Sequence, residues 1–539
     1  MRPGTARTRI AVLVYGLASA ALYSGLLPLW EGFDELYHYG YVQHVSTTAT
    51  LPVIGKSSLS RELWTSLDYV AISHYIQPYV YRPSTSFPEY FHLPDAERES
   101  RRRGLDTIPS AFQREPSPRD NYEVKQAPLT YLLLALVDRL LAGAPLPLRV
   151  LALRELLSIA TIVLLWFGTR GLARRLGLEG PAETASLFAI FSCQMLYGNA
   201  CHIANDALML PWLMFFLDAV IDSCQSPTLS RSARTGFLMA LGILIKASLL
   251  IFLPFAFVAP VWILIQRRAS LRQAARLTAV SAGIILALAG PWYVRNLTLY
   301  GSLTATLDTT SGVGPKELLS AAVSVPWRES IAGMAHSALW TGNNSFTTFS
   351  ASTLDLVLFL LALAALLYGL RFRRSLPEVI TVSGIAMYCA GLVYITLSFT
   401  YSSRGSVTAA MPWYMQVLLA PVIALCFLGL ARWRRWGRWT AIATVSLWGY
   451  VALATWVAKL IPLYGGFEEA HARPRQLLAW YFQDSARRDS ILANLCPAPL
   501  ALLNVLFVAV LATLMITWIR VLAALLRGSA LGFPPHELP

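Results

Sequence analysis

Charge is scarce in this chain. Asp, Glu, Lys and Arg together supply only 14% of 539 residues, well away from the balance of a soluble globular protein. Cysteine is rarer still. The six cysteines show no metal-ligand spacing, and Cys193, Cys389 and Cys426 lie inside apolar runs as packing residues. Only Cys201 and Cys496 fall in segments expected on the outer side, where a disulfide is chemically open to them. No glycine-rich turn leads into Lys-Ser or Lys-Thr, which removes the usual cradle for a nucleotide phosphate. Nor is there a repeat of the solenoid kind, or an inverted repeat of the kind that builds rocking-bundle transporters.

What is present is apolar. Hydrophobic residues make up 55% of the sequence, and the mean hydropathy is +0.51. The formal net charge of +14 does not point to nucleic acid, because the basic residues sit in short clusters between apolar runs, as orientation in a bilayer requires. The expected class is an all-α polytopic membrane protein of about twelve spans. Arg2, Arg7 and Arg9 precede the first span and put the N-terminus inside; Arg520 and Arg527 follow the last, so both termini are expected in the cytoplasm.

Three outer loops follow from that alternation: residues 30–147, 297–350 and 464–497, separated by spans in 148–296, 351–463 and 498–539. The first is the longest and is expected to form a small extracytoplasmic cap. Within it the apolar segment Pro128 to Gly143 is too short to cross and is expected to lie on the outer surface. The run from Thr235 to Ile265 has arginines on both sides, so it needs an even number of passes, with a break around Lys246 to Pro254 that brings Lys246 near the outer face.

Chemistry is expected where the first span ends. Ile10 to Leu29 has the length of a bilayer crossing, and Asp34-Glu35-Leu-Tyr-His38-Tyr39 follows directly. If this stretch is helical, Asp34 and His38 are four apart and Glu35 and His38 three apart, so two carboxylates and an imidazole share a face. A positioned carboxylate is what a hydroxyl nucleophile needs as base. Asp34 is the first candidate, Glu35 the second, with His38 orienting. The competing structural reading is a charged first turn of an interfacial helix. Lys246, Arg295 and Arg154 lie near outer span ends, against the ordinary inward bias of basic residues. They are candidates to hold an anionic leaving group, the alternative being side chains that snorkel to headgroups. Asn205-Asp206 is either an N-cap or part of the site. Lys125, with Tyr122 and Glu123, and Asn296 with Tyr300 are candidate substrate contacts.

These segments, in this order, resemble a known family. The first-loop motif, then Gln126-Ala-Pro128-Leu129-Thr-Tyr131, Arg154-Glu-Leu-Leu-Ser158, Asn205-Asp206, Leu244-Ile-Lys246 and Trp292-Tyr-Val-Arg295-Asn296-Leu-Thr-Leu-Tyr300-Gly301 are similar to elements of GT-C membrane glycosyltransferases. That group includes lipid A aminoarabinose transferases and protein O-mannosyltransferases. Ala127 stands where the family usually has a second proline, and Arg404-Gly405 with Trp413-Tyr414 only echoes its later Gly-Arg-Tyr element. The resemblance implies a GT-C-like bundle in the cytoplasmic membrane. It implies a polyprenyl-phosphate-linked sugar donor, membrane lipids as surroundings, and a glycan, lipid or protein acceptor, with the active site extracytoplasmic and inversion at the sugar. No cofactor is assigned, and a divalent metal is left open. The rival expectation is a polytopic transporter or lipid flippase for envelope polysaccharide precursors.

Overall fold

The computed structural model describes residues 3–74, 76–77, 83–266, 270–305, 313–341, 349–468 and 473–527. Among them the architecture is almost wholly helical, with one two-stranded antiparallel sheet, Ser58–Ser60 against Pro116–Asp120. Ten helices are long and apolar enough to cross a membrane: Thr5–Leu26, Leu146–Leu176, Asp206–Gln225, Ala247–Ile265, Leu271–Tyr300, Ala351–Leu370, Leu376–Ser402, Trp413–Arg432, Arg435–Tyr464 and Leu500–Arg527.

The two expected spans beyond these ten are interrupted or short. The 182–203 run divides into helices Gly180–Phe191 and Gln194–Ala200. The 235–265 run breaks at Lys246, whose extended backbone (φ −153°, ψ 134°) ends helix Leu229–Ile245 and starts a 3-10 segment, Ala247–Phe257. Pro254 lies inside that segment, where its missing N–H and fixed φ oppose a regular α-helix. Close helix contact comes from small residues. A Cβ on Gly236 would lie 2.7 Å from the backbone oxygen of Ser281, so this glycine lets Leu229–Ile245 meet Leu271–Tyr300 backbone to backbone.

One set of helix ends is stapled by charge. Asp218 takes Arg175 and Arg234, each at 2.8 Å, Asp222 takes Arg175 and Arg231, and Glu183 takes Arg9 at 2.5 Å and Arg170 at 3.2 Å. Asp218 is therefore paired within an arginine cluster.

At the other end a cap covers the bundle. Helix Glu35–Thr48, the small sheet and helices Arg61–Ser66, Phe87–His92 and Asp95–Asp106 all come from the first loop. The third loop adds to it: Ser490 donates to Asp95 at 2.8 Å, and Arg102 donates to the Cys496 carbonyl at 2.6 Å. Arg98, Arg101 and Arg102 thus serve as internal ties. Arg98 is itself buried and donates to the backbone carbonyl of Leu93.

Cys201 and Cys496 are both buried and free, which corrects the disulfide considered for them; the Cys496 thiol instead donates to the Leu26 carbonyl at 3.2 Å. Helix Leu129–Leu140 has only 12 residues. It buries Tyr131, Leu134, Ala135 and Asp138 while exposing Leu132, Leu133, Leu136 and Leu140. That division suits a helix lying along a membrane surface with its outward face in lipid. Parts of the later loops, residues 306–312, 342–348 and 469–472, lie outside the described residues.

Candidate active site

The cap helix Glu35–Thr48 carries a different task on each side. Asp34 occupies its N-cap in the left-handed region (φ 56°, ψ 16°), and its side chain makes no capping hydrogen bond. This conformation is sparsely used by non-glycine residues. The carboxylate is thereby free of the helix and accepts from the Tyr122 hydroxyl instead. Burial pushes the Asp34 carboxyl above its usual range, and the nearby Glu123 carboxylate pushes in the same direction.

Glu123 lies on a one-turn 3-10 helix, Tyr122–Lys125, started by Asn121, whose side chain accepts the Glu123 N–H at 3.0 Å. A charged segment before an interfacial helix reads as solvated from sequence, yet Glu123 is buried. Gln126 donates to it at 2.7 Å, and burial raises its carboxyl too. His38, one turn from Asp34, pairs through Nδ1 with the Tyr131 hydroxyl at 2.8 Å and stands 3.9 Å from Glu123. Burial pushes the imidazole down to about 4, so it is neutral at pH 7.

From Gln126 the network crosses to the bundle. The Asn205 side-chain amide donates to Gln126 at 3.2 Å and to the Ile245 carbonyl at 2.8 Å. This fixes the start of helix Asp206–Gln225 against the end of Leu229–Ile245. Next to each anchor stand Asp206 and Lys246, paired at 2.6 and 2.7 Å through both carboxylate oxygens. The Lys246 ammonium also lies 4.8 Å from the ring centre of Tyr414. The neighbouring Trp413 stacks on Phe33 at 4.6 Å, and Phe33 meets His202 edge-on at 5.7 Å. Residues from the first loop, three span ends and the 411–416 segment therefore share one end of the bundle. Among the described residues no group of three or more His, Cys, Asp or Glu is placed to hold a metal ion.

Comparison with known proteins gives distant likenesses only. No family model matches the chain, and no curated protein matches it. Among solved structures, ArnT from Cupriavidus metallidurans bound to undecaprenyl phosphate shares 13% identity at a TM-score of 0.40, over 86% of this chain and 74% of that one. Its apo state shares 14% at the same TM-score and coverage. An oligosaccharyltransferase from Archaeoglobus fulgidus, in complex with zinc and sulfate, shares 13% at a TM-score of 0.40, over 84% of this chain and 56% of that one.

The remaining expected site residues are placed elsewhere. Glu35, the second candidate base, is fully buried and accepts from Arg154 Nε at 2.7 Å and from the Ile203 N–H at 3.0 Å. Arg154, expected beside a phosphate, is equally buried. It donates to the carbonyls of Leu27 and Pro28 as well as to Glu35. The pair spends its charge on itself and on the buried carbonyls just past the end of the first helix, which is a reason to set both apart from the reacting groups.

Arg295 donates to the Pro52 carbonyl at 2.7 Å and lies over Trp292. Tyr300 Oη accepts the Ile54 N–H at 3.2 Å, and Asn296 donates to the Leu303 carbonyl at 3.1 Å. Arg295 and Tyr300 brace the cap segment 51–54, and Asn296 ties down the chain after its helix. Lys125 sits about the Tyr122 ring, 6.0 Å from its centre.

Sequence reasoning missed a second buried network beneath the cap helix. Arg149 donates to the Tyr39 hydroxyl at 2.7 Å and pairs with Glu62, with Asp138 at 3.4 Å. Tyr39 donates to Asp138 at 2.8 Å, and Ser46 to the same carboxylate at 2.5 Å. The available signal was the spacing of Tyr39 and Ser46, seven apart on the helix face that also carries Glu35.

Proposed function

We propose that this chain is a GT-C-like glycosyltransferase that moves a sugar from a polyprenyl-phosphate donor to a hydroxyl of a lipid, glycan or protein on the extracytoplasmic face of the cytoplasmic membrane. One observation carries the reading. A partly exposed carboxylate with raised proton affinity, Asp34, stands where the first span meets the cap, in one network with Glu123, Gln126, Asn205, Asp206 and Lys246. The ordered sequence motifs that resemble the family run through the same residues.

In this reading the acceptor hydroxyl lies against Asp34. As its oxygen forms a bond to the sugar's anomeric carbon, the bond from that carbon to the lipid phosphate breaks, and the proton passes to Asp34. A carboxyl with raised proton affinity is a better base than an ordinary aspartate, provided it is ionised at the working pH. Displacement from the far side inverts the anomeric centre. The leaving phosphate gains negative charge and needs a fixed donor. Lys246 places two of its three N–H donors on Asp206 and keeps one for the phosphate. Asp206 and Asn205 hold Lys246 and its helix end, neutral His38 holds Tyr131, and Lys125 lies on the acceptor side.

A transporter or flippase would need ionisable groups along a path near the midplane. The two acidic residues that raise that reading, Asp218 and Asp138, are instead paired at opposite ends of the bundle. The reading is tested with the full chain in proteoliposomes, supplied with radiolabelled polyprenyl-phosphate sugars and a membrane-lipid acceptor fraction. Label appearing in the acceptor fraction is expected. Movement of intact donor between leaflets with no transfer would overturn it.

A further inference from the structure

The arginine end of span Trp413–Arg432 lies away from the cap, since Trp413 at its other end stacks on Phe33. Two glycines shape this corner. A Cβ on Gly429 would lie 2.6 Å from that of Tyr368, so the glycine lets this span meet Ala351–Leu370 closely and brings Arg432 beside Arg371. A Cβ on Gly437 would overlap the Leu430 carbonyl oxygen, so glycine is needed for the tight passage from this span into Arg435–Tyr464.

The segments so joined read Arg371-Phe-Arg373-Arg374 and Arg432-Trp-Arg-Arg-Trp-Gly-Arg438. The acid at this corner, Glu378, is already spent: Arg432 donates to its two oxygens at 2.7 and 2.9 Å, and Ser375 donates to it at 2.9 Å. Positive charge is left over. It is also placed. Arg371 donates to the Arg432 carbonyl at 2.5 Å and lies over the Trp433 ring, 4.2 Å from its centre. The Trp433 indole is in turn held by the Leu367 carbonyl at 2.9 Å. Arg374 takes the left-handed region (φ 55°), a conformation sparsely used by residues with a Cβ. Arg374 and Arg435 are exposed, and among the described residues their side chains make no hydrogen bond or ion pair. Trp436, next to Arg435 in the chain, is 76% exposed, and Leu370, just before Arg371, is 65% exposed. Guanidinium groups thus cap an apolar span face, the order in which a phospholipid presents its phosphate and its chains.

From this arrangement we infer that the corner binds the headgroup of an anionic phospholipid, with Arg371, Arg374 and Arg435 on its phosphodiester, Trp436 at headgroup depth and Leu370 toward the chains. Planar guanidinium groups match phosphate oxygens in both geometry and charge. The leftover positive charge repels a choline ammonium, so a headgroup of net negative charge is selected over a zwitterionic one. A soluble phosphate would gain nothing from Trp436 and Leu370. Arginines that only set orientation in the bilayer need charge and no fixed placement. The site stands at the opposite end of the bundle from Asp34 and is independent of the transferase reading.

The test uses the full chain in a nonionic detergent, mixed with equal amounts of phosphatidylglycerol and phosphatidylcholine, with retained lipid read by native mass spectrometry. Phosphatidylglycerol is expected to be retained about tenfold or more over phosphatidylcholine. The double substitution Arg374→Gln with Arg435→Gln, both at exposed positions, is expected to lower that retention by about tenfold or more with the unfolding midpoint unchanged. Arg272→Gln with Arg276→Gln removes the same charge from two exposed positions near the start of Leu271–Tyr300, at the same end of the bundle. This second pair is expected to leave retention unchanged. Equal loss in the two pairs would show a response to charge without a site and would overturn the inference. Equal retention of the two lipids, no loss in the first pair, or no retained lipid would each overturn it as well. Displacement of the phosphatidylglycerol by an equal concentration of glycerol 3-phosphate would overturn the assignment to a lipid, because the chains would then add nothing.

Discussion

Arg154 Nε donates to Glu35 Oε1 at 2.7 Å across 119 positions of sequence, with both side chains fully buried. This contact divides two adjacent carboxylates. Glu35 is held ionised inside the protein, mainly by Arg154 working against burial, while Asp34 beside it is turned out of the helix and left with a raised proton affinity.

Breaking that pair should cost stability before it costs chemistry. Arg154→Met leaves a buried, unpaired carboxylate and is expected to lose about 3–5 kcal/mol. Glu35→Gln with Arg154→Met should recover much of the loss, because no lone charge remains. Thermal unfolding of the three variants in detergent checks the order; equal loss in the single and double variants would remove the ion-pair account.

His38 gives a pH signature with a definite sign. Its folded value of about 4 lies below the ordinary 6.5, so the unfolded chain takes the proton first as pH falls. Its contribution is complete above about pH 6.5 and is lost as pH falls toward 4, amounting to about 3 kcal/mol over the window. His38→Gln should flatten that part of the stability profile, measured by unfolding midpoints across pH 4–7.

Lys246 and Asp206 should respond unequally. Lys246→Met removes the donor reserved for the lipid phosphate. It should raise the KM for the polyprenyl-linked donor by about tenfold or more, in line with the loss of a charge-assisted contact. Asp206→Asn keeps the ammonium but loosens it, so a smaller rise is expected. Steady-state kinetics on both variants, at matched folded fractions, provides the check.

How much of this was legible in the sequence differs from feature to feature. The apolar runs and their arginine clusters gave the helical membrane class, because length and sidedness follow from bilayer thickness and charge. The break at Lys246 was readable because arginines flank the 235–265 run on both sides. The pairing of Glu35 with Arg154 was not, since nothing local says which of two adjacent carboxylates turns inward; that depends on a helix 119 residues away. The burial of Glu123 was not legible for a similar reason. Its segment looks solvated until Gln126 and the end of helix Leu229–Ile245 close over it through Asn205. The division of the 182–203 run into two helices also had no local cue strong enough to predict it.

Asp34 is the residue on which the proposed chemistry turns, and Asparagine is close to it in shape while lacking the base. The direct measurement is the single-turnover rate of sugar transfer from a radiolabelled polyprenyl-phosphate donor, comparing the wild-type chain with Asp34→Asn at equal folded amounts. The account predicts a fall of about 100-fold or more with an unchanged unfolding midpoint. Transfer by Asp34→Asn at the wild-type rate would contradict it.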